Sequence, residues 1–168
     1  MRTRRLTWDA LLTAIALTIF MIEARLPALA PVPGVKLGLA NIVTLYAMFA
    51  LGPVDALGIL LARVLLGGMF AGQLMTLLYS LSGGLLCWLL TLFLRKVMTH
   101  QQIWLCSIFG AVAHNVGQII AAIAVTRTPS LIVYLPILMV SGMIAGAFTG
   151  FAAQFLINHG GLPKGTRR

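Results

Sequence analysis

The stretch IWLCSIFGAVAHNVGQIIAAIAV, residues 103–125, decides the architecture of this chain. It carries no Asp, Glu, Lys or Arg, and it is longer than the roughly 20 apolar residues that cross a hydrocarbon core. Its centre is nonetheless polar, with His114, Asn115 and Gln118 in the middle of the run. Similar apolar runs flank it on both sides. Of 168 residues, 60% are hydrophobic and 9% are charged, whereas a soluble domain carries about 25% charged residues. The pattern predicts an all-α integral membrane protein, a single compact bundle of about six transmembrane helices over residues 1–168.

The expected spans are 8–26, 37–51, 54–70, 74–94, 103–125 and 131–157. Trp8 suits an interfacial anchor, and Pro27 ends the first span. The second span is short and is closed by Gly52-Pro53; Ala71-Gly72 follows the third, and Arg95-Lys96 stops the fourth. Spans of this length leave no room for a soluble catalytic domain.

The formal charge is +9, from 12 Lys and Arg against 3 Asp and Glu. The bases form no stripe with interleaved aromatics, so nucleic-acid binding is not expected. They gather instead at Arg2, Arg4 and Arg5, at Arg95 and Lys96, and at Lys164, Arg167 and Arg168, the ends of apolar runs. Positive residues are held in the cytoplasm, and an even number of spans puts both termini on one side. Both criteria predict cytoplasmic termini, with Arg25, Lys36 and Arg127 near the opposite face. The expected location is a bacterial inner or plasma membrane, crossed several times. MRTRR with the apolar run 11–22 and Ala28-Leu29-Ala30 has the outline of a signal peptide. Cleavage would remove the first span, however, so that helix is expected to be retained. Cys87 and Cys106 lie in apolar segments outside any CxxC pair and read as packed thiols.

Small residues recur four apart, which lets helix backbones approach closely in lipid. Gly142, Gly146 and Gly150 do so in the sixth span, Ala113, Gly117 and Ala121 in the fifth, and Ala10 and Ala14 in the first. Packing within the bundle suffices for the fifth and sixth spans; for Ala10 and Ala14 a partner protein is an equal alternative. Asn41, Arg63, Tyr79, Ser80, Ser82, His114, Asn115 and Gln118 are polar at membrane depth. Such groups face polar partners or a water-filled site. A helix-to-helix hydrogen-bond network and a ligand site are both consistent with the set. Arg63 requires an anionic partner, and Glu23 is the nearest candidate by depth.

The segments GVKLGLANIVTLYAMFALG, ARVLLGGMFAG, LYSLSGGLL and AHNVGQ, in this order, resemble the Gx transporter family, also labelled heptaprenyl diphosphate synthase component I. That family is similar to the substrate-binding S components of energy-coupling factor (ECF) transporters. The resemblance covers roughly residues 8–158 and implies a six-helix bundle that captures a small molecule from outside. It also implies a transmembrane coupling protein with two ATPases, met through small residues of the first helix. Ala10 and Ala14 match that pattern.

The synthase label is not supported by the residues. Prenyl transfer uses magnesium, which takes oxygen ligands, usually carboxylates, and Asp9, Glu23 and Asp55 are dispersed with no DDxxD among them. No catalytic role is expected. No GxxxxGK[ST] phosphate loop is present, so ATP hydrolysis of that type falls to another subunit. His114 is the one histidine at depth, with His100 and His159 outside the spans; neither a bis-histidine haem nor a metal site is expected, and no cofactor is assigned.

The segment EARLPALAPVPGVKLGLANIV, residues 23–43, holds an acid, two bases and three prolines between the first two spans. Its charges are either solvated at the interface or part of a lid. In the second case Glu23, Arg25 and Lys36 sit at the mouth of a pocket lined by Asn41, Arg63, Tyr79, His114, Asn115 and Gln118. That mouth is net positive, which favours an anionic or phosphorylated ligand; a neutral heterocycle held by the amides also fits. Two functions follow. One is a capture subunit for uptake of a vitamin-like, flavin-like or isoprenoid-related molecule. The other is a non-catalytic accessory subunit of prenyl diphosphate or quinone metabolism.

Overall fold

In lipid only internal hydrogen bonding satisfies the backbone, so long apolar runs become helices. The computed structural model describes residues 2–23, 25, 38–72 and 74–159 and is all-helical throughout. Six α-helices follow in order: α1 Arg2–Glu23, α2 Asn41–Ala50, α3 Pro53–Ala71, α4 Leu74–Val97, α5 Ile103–Thr126 and α6 Leu135–His159. Short 3₁₀ segments, His100–Gln102 and Pro129–Tyr134, lead into α5 and α6. Five of the six are long and apolar enough to cross a membrane, and α2 is the exception.

The breaks follow local chemistry. Gly52 has φ 131°, which favours glycine, and Pro53 opens α3 where its missing N–H is no loss. Gly72 closes α3 in the left-handed conformation. The expected second span of 37–51 shrinks to Asn41–Ala50, because Gly38, at φ 80°, begins a turn rather than a helix. Helix α1 begins at Arg2 instead of residue 8, so its basic cluster is part of the helix.

Cross-links between helices fix which ends lie together. The Arg5 guanidinium meets the Asp55 carboxylate at 3.4 Å, joining the starts of α1 and α3. Trp88 Nε1 donates to the Pro53 carbonyl at 3.0 Å, and the Ile103 amide donates to Gln154 Oε1 at 3.1 Å. One end of the bundle therefore gathers the starts of α1, α3 and α5 with Arg95 and Lys96 in the last turn of α4. Helix α5 packs most extensively, between α4 and α6. The short α2 is the hub, touching all five other helices.

Glycines set the closest approaches. A Cβ on Gly146 would lie 2.9 Å from Ala111 Cβ and Ile108 Cα, and one on Gly150 2.7 Å from Trp104 Cα. The expected stripe Gly142–Gly146–Gly150 thus packs within the bundle, against α5. Gly117 belongs to a different contact. It faces Gly83 of α4, where an added Cβ would sit 2.9 Å from the Gly83 Cα, and Ser82 Oγ donates to its carbonyl at 2.9 Å. The two stripes therefore serve two separate interfaces of α5.

Candidate functional site

Arg63 lies at the middle of α3 and His114 at the middle of α5, and both are buried. The start of α2 meets them there. Arg63 Nη2 donates to Asn41 Oδ1 at 2.6 Å. The Gly38 position is pressed against the His114 ring, so that a Cβ there would fall 2.9 Å from His114 Cδ2. Residues 38–40 are thus non-helical backbone at mid-depth. Such backbone persists in a membrane only when buried in protein or lining a polar cavity. Here it is held by Glu23, the last residue of α1, whose Oε1 accepts the Gly38 amide at 2.5 Å.

The expected Arg63–Glu23 pairing takes a bridged form. Glu23 and Arg63 are 5% and 2% exposed. Their charges act on one another, yet the hydrogen bonds just described run from Arg63 to Asn41 and from Gly38 to Glu23. The start of α2 and the residues before it thus bond to both acid and base. The Arg63 charge also acts on His114.

From His114 the site continues along α5. Gly83 of α4 lets the chain approach closely, since a Cβ there would meet His114 Nδ1 at 2.9 Å and Gln118 Cγ at 2.8 Å. Gln118 is fully buried, and neither its Oε1 nor its Nε2 has a hydrogen-bond partner. Arg63 Nε and Asn115 Oδ1 are also buried without one. A buried amide left unmade on both atoms costs about 1–3 kcal/mol per group. Four unsatisfied atoms on Arg63, Asn115 and Gln118 are far from the ordinary satisfied network. Together they offer donors at Arg63 Nε and Gln118 Nε2, and acceptors at Gln118 Oε1 and Asn115 Oδ1.

The family model described as heptaprenyl diphosphate synthase component I matches residues 12–156, most of the chain. The chain belongs to that family. No curated protein and no solved structure matches it. The component I match runs from within α1 to near the end of α6 and so takes in every polar residue of the site.

Other residues expected in the site have different positions in this component I chain. Asn115 Nδ2 donates to the Leu138 carbonyl, tying α5 to α6, so half of its amide is structural. Tyr79 is buried in an apolar cluster with Ile119, Ala122 and Leu138. Arg25 is exposed beyond the end of α1, and Lys36 lies outside the described residues. Ala10 and Ala14 are both exposed on α1. Among the described residues no three of His, Cys, Asp and Glu cluster to hold a metal ion. Sequence reasoning missed Thr44. It is buried in α2, one turn from Asn41, with its hydroxyl unpartnered. Its signal was available: a polar residue three positions on from Asn41 in a short, otherwise apolar run.

Proposed function

We propose that this chain is the substrate-capture subunit of a small-molecule transporter, with its ligand held among Arg63, His114, Asn115 and Gln118. The carrying observation is Gln118, fully buried on the helix that also carries His114 with both polar atoms unsatisfied, together with an Arg63 Nε that is buried and unsatisfied in α3. A ligand with an acceptor or anionic group for Arg63 and an amide-like edge for Gln118 would satisfy them at once. The turn at residues 38–40, non-helical backbone packed on His114, supports the same reading, since such backbone at membrane depth is found buried in protein or lining a polar cavity. The resemblance to S components supports a non-catalytic role, with energy supplied by a coupling protein and ATPases that meet α1 at Ala10 and Ala14. The second reading, an accessory subunit of prenyl diphosphate metabolism, draws on the family's description alone.

The test is native mass spectrometry of protein purified gently from its own membranes. The wild type should carry a small molecule, and Gln118→Ala should lower its retention roughly tenfold, a loss of about 1.4 kcal/mol. Arg63→Lys, which keeps charge but loses the planar fork, should lower it too. Recovery with a prenyl synthase and with no small molecule would favour the second reading.

The basic clusters further support cytoplasmic termini. In a cysteine-free background, Thr128→Cys should react with an impermeant thiol reagent in intact cells and Thr99→Cys should not. The reverse pattern would invert the capture side.

A further inference from the structure

Beneath Asn41, toward the end that carries Arg95 and Lys96, helices α2, α4, α5 and α6 enclose a cavity of about 20 Å³. That is room for about one water, or for a group of similar size. Gly38 and Asn41 form its upper wall, and the same two residues contact His114 and Arg63 on their other side, so the cavity adjoins the site above. The rest of the lining holds no charged side chain. The hydroxyl groups of Thr44, Thr91, Ser107 and Thr149 lie among Leu45, Met48 and Trp88. Ser107 and Thr149 satisfy one another at 3.0 Å, and Thr149 also donates to the Gly146 carbonyl at 3.2 Å. Thr44 is different: it is 6% exposed, and its Oγ1 has no partner.

We propose that this cavity is the inner compartment of the ligand site and receives an uncharged tip of the ligand, of hydroxyl or methyl size. The inference rests on the capture reading above and adds the ligand's shape and polarity to it. A charged tip would meet no counter-charge in these walls, and an unpaired charge at membrane depth is strongly disfavoured. A hydroxyl tip satisfies Thr44 and leaves the Ser107–Thr149 pair intact. A methyl tip fills the space between Leu45, Met48 and Trp88. The ligand is therefore two-ended, with a polar or anionic end at Arg63 and Gln118 and a small uncharged end beside Thr44.

The chain carries its own probe. Cys87 lines the cavity, whereas Cys106 is buried elsewhere, its Sγ 3.2 Å from Met98 Sδ. Wild-type protein in detergent is treated with methyl methanethiosulfonate, which leaves a methylthio group on sulfur, and separately with the bulkier N-ethylmaleimide. Peptide mass should show Cys87 modified by the small reagent, Cys106 untouched, and the larger reagent slower by roughly tenfold or more, because a close-packed interior rejects added volume. The methylthio adduct on Cys87 should lower retention of the molecule that the wild type carries, and Ala145→Leu, which fills the same space, should do likewise. Cys87 as inert as Cys106 in protein washed free of that molecule would overturn the proposal. So would adduct and Ala145→Leu proteins that retain the molecule at the wild-type level. In that event a continued loss with Gln118→Ala would leave the capture reading standing without its inner compartment. Wild-type protein that carries no small molecule would remove both. The adduct arm uses the native chain and decides the matter even if Ala145→Leu fails to fold.

Discussion

Helices α2 and α6 are both strongly apolar, and the bundle treats them in opposite ways. In the ten residues of α2, Val43, Thr44, Leu45, Ala47, Met48, Phe49 and Ala50 are all buried. In the 25 residues of α6 only a narrow stripe is buried: Leu138, Gly142, Gly146, Thr149, Gly150 and Ala153. The large side chains of α6, including Ile144, Phe148, Phe151 and Phe155, point outward. Lipid is as apolar as leucine, so hydrophobicity does not decide which residues turn inward. Side-chain size decides it for α6, and position at the hub decides it for α2. The buried face of α6 is made of the residues that soluble-protein intuition would put in loops.

This contrast is easiest to break at α6. Gly146→Leu should have the largest effect, because a Cβ alone would already crowd Ala111 and Ile108. The α5–α6 interface should open, with a loss of about 3 kcal/mol or more and a collapse of the detergent melting transition. Phe148→Leu, two residues on and facing the lipid side, should leave that transition in place. Equal tolerance of both would mean that α6 is not held by its glycine stripe.

A smaller effect sharpens the comparison between the helices. Met48→Ala empties a fully buried position in α2 and should cost about 2–4 kcal/mol. Ile144→Ala on the outer face of α6 should cost no more than about 0.5 kcal/mol. Chemical unfolding in mixed micelles measures both, and matching losses would deny α2 its role as hub. The smallest expected change in stability is that of Ala10→Leu with Ala14→Leu, within about 0.5 kcal/mol, since both positions are exposed on α1. Under the capture reading the pair should still abolish coupled uptake while leaving ligand retention unchanged. A fall in melting temperature would show instead that these alanines pack inside the bundle.

Much of this was legible in the sequence. The five long helices are visible because nothing but helix satisfies twenty or more apolar residues in lipid, and Gly52-Pro53 marks its turn by chemistry alone. The start of α2 was not legible. Its apolar residues run back through Leu37, and only the φ of Gly38 and the reach of Glu23 from another helix end the pattern at Asn41. The polar set at depth was visible as a set, but its internal pairing was not. Arg63 and Glu23 were matched by depth, whereas their bonds to Asn41 and to the Gly38 amide come from the fold of the segment and could not be read in advance. The hydroxyl-lined cavity was the least visible feature. Serine and threonine hide in apolar helices by bonding to carbonyls of the preceding turn, as Thr18 does with Ala14 and Thr126 with Ala122.

The shortness of α2 bears on how the chain is made. Ten helical residues extend about 15 Å, half of a hydrocarbon core near 30 Å. A nascent segment of that length has no stable residence in lipid by itself. It carries Asn41 and Thr44 on its way in, which worsens the case. As the ribosome delivers the chain, α2 must therefore wait at the insertion machinery, or at the bilayer surface, until α3 emerges and the pair can enter together. Its lower partners, Cys87 to Thr91 of α4 and Ser107 to Ala111 of α5, are synthesised later still. The hub of the finished bundle can thus complete its contacts only after α4 and α5 have been made, and the polar cluster around Arg63 and His114 closes with it.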